Sequence, residues 1–68
     1  MYLVIELQTV GDTISTLTNQ YSSKNLAEQK YFAILSAAAI SEVDIHAAVI
    51  MDPCGNIIKN YYYRHNED

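Results

Sequence analysis

The sequence has one cysteine, one proline, two glycines, no tryptophan and only four basic residues in 68 positions. The lone Cys54 excludes an internal disulfide. With two histidines at unrelated spacings it is also too little for a zinc site. Gly11 and Gly55 are isolated, so there is no glycine-rich phosphate cradle. Four bases against eight acids give a formal charge of −4, which argues against direct nucleic-acid binding, because that needs clustered Lys and Arg to displace counterions. No apolar run is long enough to span a bilayer. The apolar opening is interrupted at Glu6 and has neither a basic lead nor a cleavage site, so it does not read as a signal peptide. A reduced, cytoplasmic setting is the default for such a chain. No metal or cofactor is implied.

Half of the residues are hydrophobic, too many for a disordered chain. Sixty-eight residues make a single domain, 1–68. A chain of this size buries only about 60% of the surface that it exposes when unfolded, so its core is marginal unless something helps. Disulfide and metal are already excluded. Oligomerisation is left.

Alternation along Tyr2-Leu3-Val4-Ile5-Glu6-Leu7-Gln8-Thr9 predicts a first strand, with Leu3, Ile5 and Leu7 on one face and Tyr2, Val4, Glu6 and Gln8 on the other. Gly11-Asp12 supplies a turn, and the threonine-rich stretch from Thr13 to Tyr21 predicts a second strand at a sheet edge. The polar cluster Ser22-Ser23-Lys24-Asn25 starts a helix, with Ser23 or Asn25 as N-cap and Glu28 completing a capping box from Asn25. Ala27, Tyr31, Ile34, Leu35 and Ala38 form one stripe, and the helix is expected to run to about Ile40. Phe32 lies off that stripe, either at its edge, the preferred reading, or exposed for a partner.

Ile45 to Met51 is apolar on both faces, which suits a central strand. Asp52-Pro53-Cys54-Gly55-Asn56 reads as a hairpin turn with Gly55 in the left-handed position, and Ile57 to His65 reads as a fourth strand. Asn66-Glu67-Asp68 is expected to fray.

The order is ββαββ, an α+β fold. A right-handed crossover lets the helix join strands 2 and 3 with strand 1 between them. The expected sheet is antiparallel in the order 2-1-3-4 with the helix on one face. The other face is then bare, and Val4, Ala48 and Ile50 are expected on it, too apolar to stay wet. A second sheet from an identical chain would cover it, so a homodimer with these three residues at its interface is expected.

Few residues could carry chemistry. His46 and His65 fall at the same end of the hairpin, away from its turn, where Asp44 or Glu42 could join them in a small acid–base pocket. The plainer reading is two histidines bonded to backbone or water, and no catalytic residue is assigned. Cys54 has no neighbouring base to activate it. Tyr61, Tyr62 and Tyr63 are the most unusual feature. Alternation sends Tyr61 and Tyr63 to one face and Tyr62 to the other. Tyrosines suit binding hot spots and cross-strand packing equally well, and Lys59 and Arg64 alone make a poor groove for single-stranded bases.

The segments YLVIELQ, AEQKYFAILSAAAIS and HAAVIMDPCGNIIKNYYYRH together resemble small proteins of gut Firmicutes and their phages and mobile elements. That resemblance covers most of the chain and carries over no site. It implies a small acidic inhibitor of host defence, a group that includes anti-CRISPR proteins. The leading expectation is a non-enzymatic, homodimeric protein-binding module using Tyr61, Tyr62, Tyr63, His46, His65 and Arg64. The alternative is a small-molecule or nucleotide binder with its ligand at the dimer interface.

Overall fold

A computed structural model describes residues 1–65. Its elements are β1 (Tyr2–Val10), β2 (Thr13–Tyr21), α1 (Lys24–Ala38), β3 (Ile45–Met51) and β4 (Ile57–Arg64). They form one four-stranded sheet in the order β2-β1-β3-β4, antiparallel throughout. The expected α+β architecture and strand order are found. The expected frayed tail, 66–68, lies outside the described residues.

β1 and β2 pair without interruption from Tyr2↔Tyr21 to Val10↔Thr13. Gly11 turns the hairpin at φ +61, a conformation open to glycine at little cost. Asp44 braces this end, its Oδ2 accepting from the Gly11 amide at 2.8 Å and its carbonyl from the His65 amide at 2.7 Å. Of the two candidate N-caps, Ser23 is used. Its Oγ accepts from the Leu26 amide at 3.2 Å, while Glu28 turns instead to Lys59 at 3.4 Å. The helix closes at Ala38, two residues earlier than expected. The amides of Ile40 and Ser41 bond to the Ala37 and Ala38 carbonyls, the tighter i→i+3 pattern that ends many helices. Ile40 is 86% exposed, so no burial rewards another turn.

The β3–β4 turn forms where expected. The Asp52 carboxylate gathers the amides of Cys54 and Asn56 and the Asn56 side chain, and these bonds hold its pKa below the ordinary carboxylate range. Gly55 has φ +89. A bulge follows: Ile50 pairs with Lys59 but Met51 with Ile57, and the extra residue, Ile58, packs against the core.

The helix stripe is confirmed, with Ala27, Tyr31, Ile34 and Ala38 buried and Leu35 partly so. The face beneath it corrects the expectation. Val4, Ala48 and Ile50, expected on the bare side, are all fully buried under α1. Both β2 and β3 are antiparallel to β1 and so parallel to each other. The β2–α1–β3 connection is therefore a crossover that carries α1 over β1, and one parity of β1 faces it. That parity is the even one. Ala27 and Ala48 are fully buried members of the core, small enough to let helix and sheet approach closely.

The odd positions consequently form the open face. Leu3, Ile5 and Leu7 of β1 lie beside Met51, Val49 and Ala47 of β3, screened only by their neighbours in the sheet. The molecule is a slab of 37 × 21 × 15 Å, one sheet and one helix thick.

Candidate functional site

Two clusters contain the residues singled out by the sequence. The first lies beneath the C-terminal end of α1. His46, on β3, is 4% exposed, and a buried imidazole needs partners. Its Nε2 lies 2.6 Å from Glu6 Oε2 on β1, two strand positions along from Val4, and its Nδ1 lies 3.1 Å from Ser41 Oγ just beyond the helix. The Gln8 amide donates to the same Glu6 oxygen at 3.0 Å. Burial pushes the Glu6 pKa up. The hydrogen bonds from His46 and Gln8, with the charges of His46 and Lys30, outweigh it and hold the carboxyl below its ordinary value. Nε2 therefore donates to an ionised Glu6.

Acid, histidine and serine are the residue types of a nucleophilic relay, but the surroundings do not suit one. The Ser41 hydroxyl is 3.3 Å from the Ala38 carbonyl, to which it donates. The shallow depression nearby, about 140 Å³, is lined by Glu6, Gln8, Ser15, Thr16 and Leu17, on the carboxylate side and away from the serine. The trio works as a clasp joining β1, β3 and the end of α1.

The second cluster is the tyrosine strand. Tyr63 pairs across from His46, and His65 stacks on its ring, with centroids 6.2 Å apart and planes at 7°. His65 Nε2 donates to the Ala38 carbonyl at 2.8 Å. The two histidines therefore flank Tyr63 at one end of the hairpin, as expected. Their partners differ from the expectation: Asp44 and Glu42 bond to neither ring, and the acid is Glu6. As alternation required, Tyr61 and Tyr63 share the helix side, in edge contact at 5.3 Å, and Tyr62 lies opposite Ala47 on the open face. Tyr61 and Tyr62 are more than half exposed. Arg64 lies over the Tyr62 ring at 6.0 Å and Lys59 over Phe32 at 5.2 Å. Phe32 is exposed, set edge-on to Tyr31.

Sequence reasoning missed the Glu6–His46 bond. The available signal was parity: Glu6 and His46 each alternate with residues that proved to be core, Val4 on one strand and Ala48 and Ile50 on the other. Among the described residues no group of His, Cys, Asp or Glu is arranged to hold a metal. No helix there is long and apolar enough to cross a membrane. Comparison with protein-family models, curated proteins and solved structures gave no match.

Proposed function

We propose that this protein is a non-enzymatic, homodimeric protein-binding module whose two copies stack through the open sheet face. The observation that carries the reading is the chemistry of that face. Leu3, Ile5, Leu7, Ala47, Val49 and Met51 make its centre apolar, flanked by the uncharged Thr16, Thr18 and Gln20 of β2 and Asn60 of β4. Among the described residues it bears no acid, in a chain of net charge −4, and Arg64 is its only charge. Two such faces meet without like-charge repulsion, and an isologous two-fold is the commonest arrangement.

The size also fits. Four strands spaced about 4.8 Å apart and 7–9 residues long present roughly 500 Å² in projection. The corrugated accessible area is larger, on the scale of the ~800 Å² per partner of a standard interface.

The partner-binding surface in this reading is the helix-side face of β4 and its neighbour on α1, where Tyr61 and Phe32 stand exposed beside Lys59. Tyrosine is among the residues enriched in interface hot spots. His46 and His65 serve that surface indirectly by fixing Tyr63. The resemblance to mobile-element proteins makes a host defence protein the partner class to try first. A cytoplasmic setting belongs to the same proposal, supported by the exposed free thiol of Cys54. Tyr61→Ala tests the surface: it should abolish capture of a defence effector while leaving the molar mass and circular dichroism of the module unchanged. An effector bound equally well by wild type and Tyr61→Ala would count against this surface.

A further inference from the structure

The outer edge of β2 lacks the guards that sheet edges usually carry. β2 runs for nine residues in unbroken register with β1, and positions 13 to 20 are exposed. An edge of this kind offers a row of unpaired N–H and C=O groups, and proteins normally blunt it with charge, proline or a bulge. The β4 edge follows that rule, with a bulge beside Lys59 and with Arg64 at its end. The β2 sequence, TISTLTNQY, has no charge and no proline, and it exposes Ile14 and Leu17 at 63% and 62%.

We propose that β2 pairs antiparallel with the β2 strand of a second copy about a two-fold axis at Leu17, merging two sheets into one of eight strands. Leu17 is the midpoint of Thr13–Tyr21, so this register is the one that pairs all nine residues of both strands. It sets Leu17 against its own copy, Thr16 against Thr18, Ser15 against Asn19 and Ile14 against Gln20. Each residue meets one from the same face of the sheet, and no pair opposes like charges. A foreign strand would draw its specificity from pockets or charge along the edge. β2 has no charge to offer, whereas a copy of itself matches it in length and pattern.

This edge axis stands perpendicular to the sheet, and the face-stacking axis proposed above lies between two sheets. The two are mutually perpendicular and close a tetramer of two stacked eight-stranded layers. Edge pairing does not depend on the face-stacking reading, but the number four does.

The test is light scattering on the full chain, comparing wild type with Leu17→Lys, Leu17→Glu and their equimolar mixture. Leu17 is exposed, which favours both variants keeping the fold, but it pairs across from Glu6, so circular dichroism must show this for Leu17→Glu in particular. Wild type should have four times the 7.7 kDa chain mass and each variant alone twice. The mixture should return to four times, since Lys then faces Glu across the axis. A mixture that stays at twice would refute the Leu17 axis. A two-copy wild type left intact by Leu17→Lys would overturn edge pairing and leave face stacking standing. A two-copy wild type split by Leu17→Lys would do the reverse, and a single-chain wild type would overturn both.

Discussion

His46 Nε2 sits 2.6 Å from Glu6 Oε2, tying the two central strands together beneath the helix. The Glu6 pKa is held below its ordinary value of 4.5, so the unfolded chain binds this proton more readily than the folded one. The stabilisation is present above the ordinary value and is lost as pH falls through the lowered one. Glu6→Gln should cost about 2 kcal/mol at pH 7, the scale of a hydrogen bond to a charged group. Urea melts should show the gap between wild type and variant closing as the pH drops below 4.5. A gap that stays constant into acid would mean that the carboxylate's charge contributes nothing.

Placing the core on the even face has a direct consequence for truncation. Ile50→Ala removes a fully buried side chain under α1 and should destabilise by about 2–5 kcal/mol. Ile40→Ala, at an 86% exposed position, should stay within about 0.5 kcal/mol of wild type. Denaturant midpoints for the two variants make the comparison, and similar values would refute the assigned core.

Gly55 holds φ +89, and a Cβ there would meet nothing within 4 Å. Gly55→Ala should therefore cost about 1 kcal/mol through backbone conformation alone, with no clash. Thermal melts of the variant check this. An unchanged midpoint would show that the turn relaxes to another conformation.

The helix stripe and both turns were legible in the sequence because each rests on local chemistry, and the strand order because a crossover rule leaves few ways to connect ββαββ. Gly11 and Gly55 mark turns, Ala27 to Ala38 repeat at helical spacing, and β3 is apolar throughout. The helix-covered face was not legible. Alternation in β1 divides Leu3, Ile5 and Leu7 from Val4 and Glu6, and hydrophobicity alone favours burying the first set. The folded chain buries the second, a long-range outcome that the alternation of β1 does not encode. The same inversion hid the Glu6–His46 bond, because it set Glu6, with Val4, on the face away from the helix end where Ser41 completes the cluster. It also changes what a dimer would use: Ile5 and Val49 in place of Val4, Ala48 and Ile50.

The most direct test of the face-stacking claim is the molar mass of wild type against Val49→Lys, measured by light scattering at working concentration. Val49 lies opposite Ile5 at the centre of the open face, where a lysine from each copy would be driven into an apolar contact. Wild type should be a multiple of the 7.7 kDa chain, and Val49→Lys, still folded by circular dichroism, should have half the wild-type mass. A wild type of 7.7 kDa, or a variant that keeps the wild-type mass, would contradict the account.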